Sequence, residues 1–414
     1  DNFYTETSDT YVEVNDNYIF TKNGKWMLYT SEKDGYNHLY KFDRSKRIST
    51  AITKGNMDIE TIHAFDEQRS LVYYTEATAT IQRKLMAVNV LSNKATCLTP
   101  ENGTHAIQWL EGNKYFVDKY SAINQVPVIS LKTSAGKLIK VLESNKDLAD
   151  KMQQYDLSNI ALTTIPAEFS YMKVPLNAWL IKPSNFDSTK KYPVLLYQYS
   201  GPGSQEVADK FPIKDFFWYQ MLAQKGYIIV CVDGVGTGFR GAKFKKATYL
   251  QLGKYESEDQ INVAKYFATL SYVDPSRIGI WGWSFGGFMS ATCILKGNAL
   301  FKTAVSVAPV TNWRYYDNIY TERYMRTPQE NAAGYDDNAP DQMAHLLKGN
   351  LLLIHGTTDD NVHVQNEMSL INNLIKYNKQ FDSETYPNRN HGIYGGSTRY
   401  QLYKRITDYI LKNL

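Results

Sequence analysis

The 414-residue chain has few of the features that mark disulfide-rich, membrane-spanning or nucleic-acid-binding proteins. Its three cysteines, Cys97, Cys231 and Cys293, are odd in number and far apart, so no disulfide framework is indicated. Its longest apolar runs, such as residues 227–232, fall far short of the roughly 20 residues that cross a bilayer. The net charge is only +4 and no long basic run occurs. We therefore expect a globular chain with no membrane span and no nucleic-acid partner.

The chain also lacks an initiating methionine and a secretory leader, since it starts at Asp1. This start predicts a processed product or a piece of a longer protein. The length exceeds the size at which one hydrophobic core usually stops growing, so two domains are expected. The pattern of the sequence changes near residue 143, and we place the boundary there, between residues 1–143 and 144–414.

Short alternating stretches separated by polar turns predict antiparallel strands in residues 1–143. A related unit recurs around Tyr29, Tyr74 and Tyr120, which are 45 and 46 positions apart. A period near 45 is typical of β-propeller blades, and the alternative is a β-sandwich with coincidental tyrosines. Three units cannot close a ring that typically needs at least four blades. The prediction is an incomplete propeller whose front segment is missing, possibly supplied as a separate chain.

Apolar runs alternate with amphipathic stretches from about residue 157 onward, which predicts a mostly parallel sheet with helices on both faces. We predict strands at residues 192–199, 227–233, 277–282, 303–308, 350–355 and 383–386, and helices at residues 214–224, 258–270, 287–295 and 364–377. Such sheets bind ligands beyond the carboxyl ends of their strands. Catalytic residues are therefore expected directly after strands.

A nucleophile candidate follows the predicted strand at residues 277–282. The letters G-W-S-F-G at residues 282–286 lie between that strand and a helical pattern, which is the context of a nucleophile elbow. Glycines flank Ser284 because a serine on a sharp turn needs neighbours without a Cβ. The alternative interpretation is a helix cap built of small residues. The strand, turn and helix predict an α/β-hydrolase domain with Ser284 as nucleophile.

A serine hydroxyl needs a base and an acid, which follow in this fold in the order acid, then histidine. Asp359 and Asp360 lie in the loop after the strand at residues 350–355, and either carboxylate could serve. His391 lies in the loop after the last predicted strand and is the base candidate. Other histidines precede the acid or flank it too closely, as His355 does.

These motifs resemble the S9 prolyl oligopeptidase family, and within it the dipeptidyl peptidase IV subfamily. The resemblance is densest at residues 192–202, 282–287, 307–324 and 355–365, and again at residues 391–393. It implies that Asp359, the first acid of the pair, completes a triad with Ser284 and His391. It also implies a serine peptidase that needs no metal or organic cofactor.

The resemblance assigns further site residues. Tyr199 and the backbone N–H of Phe285 match the oxyanion hole. Trp313, Tyr316 and Tyr320 are three and four positions apart and would share one helix face. Without the resemblance, this spacing is equally typical of an amphipathic helix that packs on the core. In the family these three residues form the walls of a shallow pocket for proline. The resemblance adds Val310 and Val362 to this pocket. It also implies that Asn361 helps to bind the carbonyl of the preceding substrate residue.

The implied activity is release of amino-terminal Xaa-Pro or Xaa-Ala dipeptides from peptides. The paired glutamates with which such enzymes grip the substrate amino terminus have no matching segment here. Alternatives are therefore tripeptidyl, endopeptidase or acylaminoacyl specificity, an esterase, or a non-catalytic binding protein on the same scaffold. The resemblance further implies a homodimer and export, for example to the periplasm.

Overall fold

The computed structural model describes residues 3–414, which divide into two compact units. The first unit contains residues 3–157 together with Ala208–Phe216 and Gly238–Lys245, and the second contains Ser158–Val207, Phe217–Thr237 and Lys246–Leu414. The sequence predicted a single boundary after residue 143. In the structure, the first unit extends to residue 157 and also contains two later segments.

The first unit is built from antiparallel strands. In chain order they are β1 (Tyr18–Phe20), β2 (Trp26–Ser31), β3 (His38–Asp43), β4 (Ile48–Ala51), β5 (Ile59–Asp66), β6 (Leu71–Thr78), β7 (Gln82–Asn89), β8 (Ala95–Cys97), β9 (Thr104–Trp109), β10 (Tyr115–Ala122), β11 (Gln125–Thr133) and β12 (Leu138–Glu143). They form successive four-stranded meanders, β1–β4, β5–β8 and β9–β12. Tyr29, Tyr74 and Tyr120 lie in the second strand of each meander. The repeat of about 45 residues therefore marks blades, and the unit is part of a β-propeller.

Long-range polar contacts hold the two later segments in the first unit. Asp209 accepts a hydrogen bond at Oδ1 from the backbone N–H of Ile123, at 2.8 Å. Lys245 Nζ lies 2.8 Å from Glu13 and 2.5 Å from Glu32, and burial limits its exposure to 12%. Because these partners are more than 80 positions away in sequence, no local pattern could have predicted them.

A mixed sheet forms the centre of the second unit. Its strands are β13 (Ile160–Ile165), β14 (Leu176–Ile181), β15 (Tyr192–Tyr197), β16 (Ile228–Asp233), β17 (Val273–Trp283), β18 (Thr303–Val307), β19 (Asn350–Gly356) and β20 (Asp382–Tyr386). The order is β13-β14-β16-β15-β17-β18-β19-β20, parallel except for the pairs β13–β14 and β14–β16. The six predicted strands are all present. The antiparallel pair β13–β14 was not predicted.

The helices are α1 (Lys146–Met152), α2 (Phe216–Gln224), α3 (Ala242–Lys245), α4 (Tyr255–Thr269), α5 (Phe285–Lys296), α6 (Asn318–Met325), α7 (Ala332–Asp336), α8 (Gln365–Lys376) and α9 (Thr398–Asn413). Helices α1 and α3 lie in the first unit, and the others lie between or after the strands of the second. Helix α4 is fixed to the end of β16 by buried polar side chains. Asp259 accepts from the N–H of Val235 at 2.8 Å, and Gln260 Nε2 donates to the carbonyl of Val232 at 2.9 Å. The second unit is thus an α/β-hydrolase domain.

Candidate active site

Ser284 lies in the tight turn between β17 and α5. Its backbone has φ 62° and ψ −120°, a region that is costly for any residue except glycine. Its N–H donates to the carbonyl of Val307 at 2.8 Å, which ties the turn to the end of β18. A Cβ on Gly282 would lie 2.5 Å from the Gly286 carbonyl oxygen, and one on Gly287 would lie 2.5 Å from that of Val307. The flanking glycines are therefore required by close backbone packing.

Asp359 follows β19 and is paired with His391, which follows β20. Asp359 Oδ2 lies 2.7 Å from His391 Nδ1 and 3.3 Å from Nε2 of His355. Its Oδ1 accepts the backbone N–H groups of Asn361 and Val362, both at 2.9 Å. Burial alone would raise the pKa of Asp359, but the hydrogen bonds from the two histidines and the charge of His391 lower it well below its usual range. The carboxylate is thus ionised at neutral pH.

The His391 loop lies against the turn that carries Ser284. Trp283 Nε1, one residue before the serine, donates to the carbonyl of His391 at 3.0 Å. The His391 side chain is 23% exposed, with Nδ1 turned toward Asp359. Asp360, the other acid that the sequence left open, is exposed. Of the two acids, Asp359 is the one bonded to the histidine.

Tyr199 follows β15, directly before Ser200 and Gly201. Burial raises the pKa of Tyr199, and the nearby Ser284 side chain opposes this. The hydroxyl is consequently protonated at neutral pH and able to donate. Phe285 is the first residue of α5, so its backbone N–H has no intrahelical acceptor. A Cβ on Gly201 would lie 2.7 Å from Tyr199 Cε1, so the glycine leaves room for the tyrosine ring.

The aromatic residues predicted to share one helix face do not lie on one helix. Trp313 begins a single 3-10 turn, and Tyr316 is extended, with φ −108° and ψ 164°. Helix α6 starts only after Asp317, whose side chain accepts from the N–H of Tyr320 at 2.8 Å and caps it. The rings nevertheless meet, with centroids 5.7 Å apart for Trp313 and Tyr316 and 6.0 Å for Trp313 and Tyr320. The prediction was wrong about the helix, because Asn312 and Asp317 cap two separate turns.

The remaining predicted pocket residues lie in the same unit. Val310 and Val362 are buried, at 2% and 0% exposure. The Tyr316 hydroxyl donates to Asn361 Oδ1 at 2.7 Å and thereby links the aromatic cluster to the loop that carries Asp359. Sequence reasoning did not anticipate this bond, nor the contact of His355 with Asp359.

Two family profiles match the chain. The profile of the prolyl oligopeptidase family matches residues 215–414, and that of the dipeptidyl peptidase IV N-terminal region matches residues 2–127. The chain belongs to the prolyl oligopeptidase family. This assignment agrees with the strand–turn–helix geometry at Ser284 and with the propeller blades that precede it.

Similar curated proteins include probable dipeptidyl-aminopeptidases B of two fungi. The protein of Paracoccidioides lutzii is 40% identical, and the match covers 87% of this chain and 40% of that protein. The protein of Coccidioides posadasii is 37% identical, and the match covers 94% of this chain and 43% of that protein. The crystal structure of dipeptidyl peptidase 4 from Porphyromonas gingivalis has a TM-score of 0.91 and 41% identity, covering 96% of this chain and 56% of that one. The chain therefore spans less than half the length of these two fungal relatives.

Proposed function

We propose that this chain is the catalytic part of a serine peptidase that releases dipeptides from the amino termini of peptides. The observation that carries the proposal is the 2.7 Å pair between Asp359 and His391 beside the strained turn of Ser284. A half-buried serine on a strained turn, close to a histidine with an ionised, buried carboxylate partner, is the arrangement that acyl transfer requires. The names of the relatives suggest the dipeptide length.

In the proposed reaction, Ser284 Oγ attacks the carbonyl carbon of the scissile bond and His391 Nε2 accepts the serine proton. The C–N bond then breaks, and His391 returns the proton to the leaving amine. Water attacks the acyl-enzyme with the same histidine as base, and the serine is regenerated. Asp359 keeps its charge throughout and holds the imidazole through Nδ1. Tyr199 and the N–H of Phe285 stabilise the oxyanion, a role typically worth about 3–4 kcal/mol per donor.

The proposed substrates carry proline or alanine at the second position. The clustered rings of Trp313, Tyr316 and Tyr320, with the buried Val310 and Val362, offer an apolar surface suited to a pyrrolidine ring. Asn361 is the group proposed to bind the carbonyl of the residue before proline. Alanine fits the same pocket but fills less of it, so proline is the preferred residue.

The test compares a chromogenic Xaa-Pro anilide that has a free amino terminus with its amino-blocked counterpart. The intact protein, Ser284→Ala and a control variant, Ser276→Ala, which changes an exposed serine at the start of β17, are assayed side by side. We expect cleavage of the free substrate alone, lost only in Ser284→Ala. Cleavage of the blocked substrate would instead indicate an endopeptidase or acylaminoacyl peptidase. No cleavage of either by folded protein would contradict the proposal.

Assembly and location belong to the same proposal. We expect an exported protein that forms a homodimer, as is common among members of this family. Sedimentation of the intact protein measures its oligomeric state. No helix within residues 3–414 combines the length and apolar character needed to cross a membrane.

A further inference from the structure

A second histidine contacts the carboxylate of the proposed triad. His355 lies in β19, and its side chain is fully buried. Its Nε2 is 2.7 Å from the carbonyl oxygen of Val362 and 3.3 Å from Asp359 Oδ2. Both neighbours are acceptors, so these contacts assign the proton to Nε2, which is shared between them. One ring N–H thus reaches both the acid and the far end of its loop.

The second ring nitrogen of His355, Nδ1, differs from Nε2 in its surroundings. Nδ1 is buried and has no hydrogen-bond partner in the described part of the chain. A buried ring nitrogen without a partner carries a desolvation cost. Within the described residues, the hydrogen bonds of this side chain are therefore directed to the acid loop. The hydrogen bond from His355 is also among the effects that lower the pKa of Asp359.

We propose that His355 is a positioning residue that holds Asp359 in the orientation required by His391. The inference rests on the proposed function, since it concerns the acid of that triad. Oδ1 of Asp359 is held by two backbone N–H groups, at Asn361 and Val362. Among the described residues, Oδ2 is held by the two histidines. Without His355, the oxygen that orients His391 keeps no second donor, and the imidazole is less well aligned.

Three substitutions separate this role from packing. His355→Phe fills the site without a donor, whereas His355→Gln places an amide N–H₂ near the position of Nε2, with one hydrogen for each acceptor. His363→Gln is the control, because His363 is an exposed histidine close by in sequence. In the intact protein with the free Xaa-Pro anilide, we expect kcat of His355→Phe to fall about 10- to 100-fold, the range found for outer partners of metal-binding histidines. KM should stay nearly constant, and His355→Gln should retain most of kcat.

A purely structural role predicts a different split of the kinetic constants. If His355 only anchors the carbonyl of Val362, its loss shifts a wall of the proline pocket, and KM rises while kcat is unchanged. That result would overturn the inference, as would wild-type kcat in His355→Phe. Should His355→Phe fail to fold, His355→Asn replaces it, because its shorter amide cannot reach Oδ2. Equal kcat for the Gln and Asn variants then contradicts the proposal.

The rate of Ser284 labelling by a fluorophosphonate distinguishes failure of this inference from failure of the proposed function. The reagent reports activation of the serine and needs no particular peptide. Wild-type protein that is labelled but cleaves no dipeptide substrate would refute the proposed specificity, and the labelling rates would still test His355. We expect slow labelling of His355→Phe and near-normal labelling of His355→Gln. Equal rates in all variants would overturn the positioning role.

Discussion

Glu256 in the first turn of α4 allows a quantitative prediction about stability and pH. Its side chain is fully buried, Oε2 accepts the backbone N–H of Gly253 at 2.9 Å, and within residues 3–414 Oε1 has no partner. Burial raises the pKa of Glu256 from 4.5 to about 8, against the opposing effects of backbone hydrogen bonds and Lys296. The carboxyl group is therefore neutral in the folded protein at pH values where it is ionised in the unfolded chain.

The raised pKa makes the contribution of Glu256 to stability depend on pH. Because the folded state binds this proton more tightly, the stabilisation is complete below pH 4.5 and is lost as pH rises through about 8. Each pH unit in that window costs about 1.4 kcal/mol, so the total loss is on the order of 5 kcal/mol. Glu256→Gln is neutral at every pH and has the same shape. It should match wild type near pH 4.5 and be several kcal/mol more stable near pH 8.5.

Urea unfolding followed by tryptophan fluorescence measures this difference, because Trp179 and Trp281 are fully buried in the second unit. Wild type, Glu256→Gln and Glu258→Gln are compared at both pH values. Glu258 is an exposed residue of the same helix, so its substitution should leave the stability of the protein nearly unchanged at each pH. A Glu256→Gln variant that gains nothing between the two pH values, or is less stable than wild type near pH 8.5, would refute the reasoning.

Further predictions concern the site itself. Asp359→Asn keeps the shape of the acid but places an amide donor opposite His391 Nδ1. We expect kcat to fall about 10⁴-fold in a steady-state assay. Circular dichroism should show that the variant is folded. Gly201→Ala should lower kcat with little change in KM, because its Cβ would lie 2.7 Å from the Tyr199 ring; unchanged kcat would contradict the close packing. Tyr316→Phe removes the 2.7 Å bond to Asn361 and should raise KM for Xaa-Pro substrates; an unaltered KM would show that the bond does not orient the amide.

Predictions from sequence were accurate for elements whose burial is visible in their own run of apolar residues. The strands before Ser284 and Asp359 were predicted because parallel strands that are buried on both faces read as continuous apolar runs. The pair β13–β14 was missed, since exposed threonines interrupt the apolar pattern of β13. Helix α9 lies beyond the last motif used and was not predicted at all.

The finer geometry of the site depends on contacts that no spacing encodes. Trp313 and Tyr320 suggested one helical face, but side-chain caps divide the segment into two turns. His355 was set aside as a base because it is too close in sequence to Asp359. Its actual contact, through Nε2, depends on how the loop after β19 folds back on the strand.

The division of the chain into units has a consequence for modular exchange. The polypeptide passes between the two units five times, at residues 157/158, 207/208, 216/217, 237/238 and 245/246. A single recombination breakpoint therefore cannot transfer the hydrolase unit to another protein intact. A transplant of residues 158–414 would carry Asp209 and Lys245 away from Ile123, Glu13 and Glu32. The blades and the hydrolase are thus expected to be inherited together, and a chimaera needs matched replacements in both segments to fold.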